Sequence, residues 1–189
     1  MLPTRRADVG AMNRGARPAP HLRDDVNEVI AQWRRERPDL DVSPLAVIGR
    51  LSKLARRLEI EFGQGLSAFG ISEGEFDVLC ALRRVGSPYR LTPSELVETV
   101  MISAAGMTKR LDGLERAGLI RREAAPADRR SKPVGLTSRG RRLIDRALTA
   151  HLEDEHRLLG RLGARERKEL AALLSRLLVD AEDQARRLS

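Results

Sequence analysis

The stretch Arg90–Arg142, RLTPSELVETVMISAAGMTKRLDGLERAGLIRREAAPADRRSKPVGLTSRGRR, decides the fold. It opens with a capping box. The Thr92 oxygen can take the amides of a first helical turn, Pro93 fits the first helical position, and Glu95 can reach back to the cap. A short helix is therefore expected from Thr92 to about Val100. Ser103 can cap a second helix, in which Met107, Leu111 and Leu114 recur at spacings of four and three and mark one buried stripe. Gly118 ends that helix. Leu119–Glu123 then reads as a strand, Ala124–Ser131 as a polar connection, and Lys132–Leu136 as a second strand closing an antiparallel ribbon. Helix, turn, helix and two-stranded wing make a winged helix-turn-helix.

The charges sit on what this arrangement leaves exposed. Residues 90–142 hold twelve Lys/Arg against six Asp/Glu, an excess of six within a chain whose formal net charge is +8. Such an asymmetry suits a polyanionic partner, here double-stranded DNA. Lys109, Arg110 and Arg116 lie on the second helix, and Arg129, Arg130 and Lys132 at the ribbon tip, so one face can meet a major groove and its flanking phosphates. Base reading falls to the start of that helix: Ser103, Ala104, Ala105, Thr108 and Lys109. Arg110 either reaches the DNA backbone or is held internally. The alanines can offer only apolar contacts, such as those to thymine methyls. Asp128 is placed to hold one of the wing arginines.

These elements, the helix AAGMTKRLDGLERAGLI and the wing DRRSKPVGLTSRGR resemble the MarR family of bacterial transcriptional regulators, from about Asp24 onward. The family ends its recognition helix with LE-x-x-GL-[IV]-x-R and carries D-x-R-[RS] in its wing. Here these read LERAGLIRR and DRRS. The resemblance implies a mainly α (α+β) fold, N- and C-terminal helices that interlock in a homodimer, and two recognition helices reading a pseudo-palindrome.

Moving outward, residues 1–21 combine arginine, glycine and proline without apolar period and read as a disordered basic arm. It is either an arginine-bearing extension able to touch phosphates or a solvated tail. Residues 22–70 read as N-terminal helices. Leu22, Val26, Val29, Ile30 and Trp33 form one face up to Pro38, and Ser43 and Pro44 start a longer helix that Gly63, Gly65 and Gly70 break. The DNA-binding domain spans 71–142. It begins with a helix capped by Ser72 and Glu75, with Ile71 and Phe76 as a hydrophobic staple, and includes a very short strand at Tyr89–Leu91 that joins the wing. Residues 143–189 hold dimerisation helices, the last carrying Leu170, Leu173, Leu174, Leu177 and Leu178 at helical spacing.

Other function classes find no support in the residues. There is no nucleophile elbow, Walker loop, HExxH, CxxC pair or dinucleotide fingerprint, so neither enzyme activity nor a cofactor is expected. No apolar run approaches the roughly 18 residues of a membrane helix and the start lacks an apolar core segment, so a cytoplasmic location is expected. A single cysteine agrees with a reducing compartment. His151 and His156, with Glu153, Asp154 and Glu155 between them, read as surface residues of a charged helix rather than a metal site. Cys80 is read as a small core hydrophobe, with an oxidation switch as the alternative if its thiol pKa were lowered.

A second resemblance concerns regulation. Trp33, Asp77, Arg84 and Arg122 resemble the ligand set of the urate-responsive, PecS-like subfamily. That resemblance implies a small anionic aromatic ligand such as urate, with Arg84 as charge partner, Asp77 as acceptor for ring NH groups and Trp33 as wall. Asp77 and Arg84 are seven apart and share a helix face. The structural alternative is an ion pair of Asp77 with Arg84 or Arg122 and a core role for Trp33. The expected function is a ligand-released repressor. The alternatives are an oxidation sensor through Cys80, an architectural DNA binder without a ligand, or a protein-interaction module.

Overall fold

A computed structural model describes residues 25–100, 104–123 and 132–188. The chain forms two compact units, one up to Arg56 and one from Arg57. In the first, α1 (Val26–Glu36) and the opening turns of α2 (Leu45–Ser67) bury Val26, Ile30 and Val42. Gly49 allows this closeness, since a Cβ there would sit 3.3 Å from a Val26 methyl. Lys53 pairs with Asp25, and Arg50 reaches Asn27 Oδ1 at 2.8 Å.

The second unit is built on α3 (Glu73–Arg84). Its start is the capping box expected from the sequence: Ser72 N donates to Glu75 Oε2 at 2.9 Å and both halves of the box are present. Phe76, Val78, Leu79 and Leu82 of α3 pack with Leu96 of α4 (Pro93–Val100), Met107, Leu111 and Leu114 of α5 (Ala104–Arg116), and Ile144 of α6 (Ser138–Leu158). Thr92 and Glu95 form the second box, with Thr92 N donating to Glu95 Oε2 at 2.7 Å and Glu95 N to Thr92 Oγ1 at 3.3 Å. The fold is therefore mostly helical, with one small antiparallel sheet.

That sheet has the order β1–β3–β2, from β1 (Arg90–Leu91), β2 (Ile120–Arg122) and β3 (Val134–Leu136). Gly118, at φ +67°, ends α5 in the left-handed region that favours glycine. Thr137 caps α6 by accepting from Gly140 N at 3.0 Å, while its hydroxyl lies 2.8 Å from Gly118 O. Gly140 is required here because a Cβ would run into the Leu119 carbonyl oxygen.

One boundary differs from the expectation. Gly63 and Gly65 do not break α2, which runs on to Ser67 and ends before Gly70 at φ +70°. Each helical glycine costs about 1 kcal/mol relative to alanine, but Leu66 is buried in the core and a Cβ on Gly65 would lie 3.2 Å from the Asp154 carboxylate of α6. Tertiary packing overrides propensity at this point. After a 3-10 turn at Leu159–Arg161, α7 (Ala164–Leu188) carries its leucine stripe exposed, from 38% at Leu174 to 61% at Leu178.

Candidate nucleic-acid interface

Helix α5 has two sides. Met107, Leu111 and Leu114 are buried, which turns Thr108, Lys109 and Arg116 outward, all three exposed. Lys132, before β3, is exposed as well. Ala104 and Ala105 form the first turn of the helix. Ser103, Asp128, Arg129 and Arg130 lie outside the described residues.

Arg110 does not face outward with its neighbours. Its guanidinium lies across Gly74 in the first turn of α3, where a Cβ would collide with it. Opposite, a Cβ on Gly113 would sit 3.0 Å from Glu75 Oε1. The two glycines mark the place where α3 and α5 cross closely. Beside the crossing is a cleft of about 490 Å³ lined by Ser72, Glu75, Gly106, Lys109, Arg110 and Arg116.

Asp77, one turn beyond Gly74 on α3, is half-buried, and that burial raises its pKa above the ordinary carboxylate value. The charges of Arg110, His151 and Arg84 act in the opposite direction. His151 reaches this cluster from α6, its ring edge-on to Phe62 at 4.5 Å and tilted against Phe76 at 4.9 Å, with Nε2 3.2 Å from Glu155 Oε1. Arg84 lies on the same side of α3, as the spacing of seven predicts, and donates to the Thr99 carbonyl at 3.3 Å. Arg122 is occupied elsewhere, with Nη2 2.5 Å from Asp112 Oδ1 and Nη1 3.1 Å from Glu115 Oε2. Trp33 belongs to the first unit and its side is 47% exposed.

Residues 69–131 match the model of the MarR family. Over 153 residues the chain is 42% identical to the HTH-type transcriptional regulator PecS of Dickeya dadantii, covering 81% of this chain and 92% of PecS. The chain belongs to the MarR family. More narrowly, it is a regulator of the PecS type: a DNA-binding transcriptional regulator and not an enzyme. Among solved structures it is similar to a cysteine-to-serine mutant of E. coli MarR complexed with operator DNA (27% identity, TM-score 0.62, covering 74% of this chain and 99% of that one). It is also similar to Bordetella bronchiseptica BpsR, whose DNA binding is regulated by 6-hydroxynicotinic acid (25% identity, TM-score 0.57, covering 68% and 98%).

Within this MarR-family chain, α5 takes the place of the recognition helix and β2 and β3 that of the wing strands. Arg110, left open in the sequence between the DNA backbone and an internal role, is held against α3. The attachment of Arg122 to Asp112 and Glu115 was not found in the sequence. The signal for the first was present in Gly74 and Gly113, two glycines inside helices where alanine would serve better unless another chain segment passes close. Cys80 is half-buried, and burial, followed by the Asp77 charge, pushes its thiol up to about 11. At neutral pH only about one such thiol in ten thousand is ionised, which is the wrong direction for an oxidant sensor. Among the described residues no helix is long and apolar enough to cross a membrane.

Proposed function

We propose that this regulator acts as a homodimeric repressor on a pseudo-palindromic operator and is released from it by a small anionic aromatic ligand, urate being the leading candidate. The observation that carries the ligand reading is the half-buried Asp77, on which the strongest opposing charge is that of Arg110 of the recognition helix itself. A ligand engaging Asp77 and Arg84 competes for the group that faces Arg110, and so acts on the seating of α5 against α3. Arg122 enters the reading with its guanidinium already engaged by Asp112 and Glu115, so a ligand takes it only in exchange for those ion pairs. Trp33 is carried in the set by the resemblance alone.

The regulation of BpsR by a heteroaromatic acid supports a ligand of this chemical class. Only a ligand that binds the released form better than the DNA-bound form shifts the balance. Dimerisation is supported by the exposed leucine stripe of α7, an apolar surface of the kind that marks protein–protein contact. On DNA, Ala104, Ala105, Thr108 and Lys109 of α5 are the base-reading candidates, with Ser103 before them. Lys132, Arg129 and Arg130, with Asp128, are the candidates for the wing.

The test uses a duplex selected from a random pool by the wild-type protein. Urate, 6-hydroxynicotinate and other anionic aromatics are titrated into the complex while fluorescence anisotropy and thermal unfolding are followed. Release from DNA together with a raised Tm is expected for at least one of them. If all leave both readouts unchanged, the ligand reading fails while the DNA-binding assignment stands.

A further inference from the structure

The neighbouring arginines of β2 do different work. Register pairs Arg121 with Gly135, and Gly135 with Arg90, so these three positions share one face of the sheet, where Glu123 ties Arg90 at 2.7 Å and Arg121 at 3.1 Å. Arg122 therefore points to the opposite face, the one that carries buried Ile120, Val134 and Leu136. From there it meets α5. Its guanidinium spans Asp112 and Glu115, three residues apart and hence neighbours on the helix surface, with one nitrogen on each carboxylate.

The backbone completes the contact. Strand β2 is an edge of the sheet, and the bonds Thr137 N to Leu119 O and Glu123 N to Pro133 O show that the odd-numbered residues face β3. The Arg122 amide consequently points away from the sheet, where an edge strand ordinarily presents an open donor. Here it donates to Glu115 Oε1 at 3.2 Å. Recognition helix and wing are thus joined by a side-chain fork and a backbone hydrogen bond in addition to the turn through Gly118.

We infer that Arg122 is a positioning residue for DNA recognition, a clamp that fixes the angle between the recognition helix and the wing so that both meet the duplex as one body. The three groups are one-third to one-half exposed, with side-chain values of 33%, 49% and 39% for Arg122, Asp112 and Glu115. Exposed ion pairs of this kind contribute little to global stability, whereas a change in their geometry moves both DNA-contacting elements relative to each other. The clamp does not depend on any ligand, and its test contains none.

The deciding variant is the pair Asp112→Ala with Glu115→Ala, examined on the selected duplex. By simple electrostatics, deleting two negative charges from a DNA-binding helix strengthens binding to phosphates. The clamp requires the opposite: affinity falls about tenfold, while Tm stays within about 3 °C of wild type. Arg122→Gln is expected to weaken binding to a similar degree with an unchanged salt slope, and combining it with the alanine pair adds little further loss. The inference is overturned if the alanine pair binds as tightly as wild type or tighter. It is also overturned if Arg122→Gln lowers the salt slope by about one, the signature of a lost phosphate contact.

Discussion

Asp77 and Cys80, one helical turn apart on α3, share a half-buried environment that disfavours their charged forms. Asp77 links its proton to stability. Its folded pKa lies above the ordinary value, so between the two the native state holds the proton more tightly, and stability falls as pH rises through that window. Above the window the deficit persists. Asp77→Asn is therefore expected to raise Tm at pH 7 by a few degrees, with the gain vanishing as the pH is brought below about 4. A gain that persists in acid contradicts this account of the carboxylate. For Cys80, alkylation by iodoacetamide at pH 7.5 is expected to be at least about a hundredfold slower in the native protein than in the unfolded chain. Native reactivity equal to that of the unfolded thiol would restore the oxidation switch. The sequence spacing was enough to place Asp77 and Arg84 on one face. It was not enough to find Arg110, because a partner on a helix 33 positions away is set by the crossing at Gly74 and Gly113 and leaves no periodic trace.

Helix starts and strand pairing were legible because their signals are local. Thr92 with Glu95 and Ser72 with Glu75 specify their caps within four residues, and Gly118 marks a left-handed stop. Thr92→Ala is expected to cost about 1 kcal/mol, read as a lowered Tm. The end of α2 was misjudged because Gly65 is kept in the helix by its closeness to α6, which depends on contacts more than eighty residues apart. Gly140 is the sharper test of how β3 feeds into α6. A Cβ there meets the Leu119 carbonyl, backbone that cannot swing aside as a side chain can, so Gly140→Ala is expected to cost about 1–3 kcal/mol and to weaken DNA binding. An unaltered Tm would show that the junction between wing and α6 gives way more easily than this packing allows.

For the chain as a whole, the charge excess of residues 90–142 pointed to a polyanionic partner. The two sequence patterns of helix and wing then identified the family that the relatives show. In the proposed homodimer the exposed α7 stripe is covered by the second chain. The wild type is expected to sediment as a dimer, and Leu173→Glu with Leu177→Glu, two positions one turn apart and 55% and 47% exposed, to leave a folded monomer. A dimer that survives both charges would move the interface off α7. The central claim, that a ligand acts on the recognition helix through Asp77, is tested most directly by titrating urate into the protein–duplex complex for wild type and Asp77→Asn and following anisotropy. The account predicts that urate frees the DNA from the wild-type protein, while Asp77→Asn still binds the duplex and no longer lets go. Release of both proteins at the same urate concentration would contradict it.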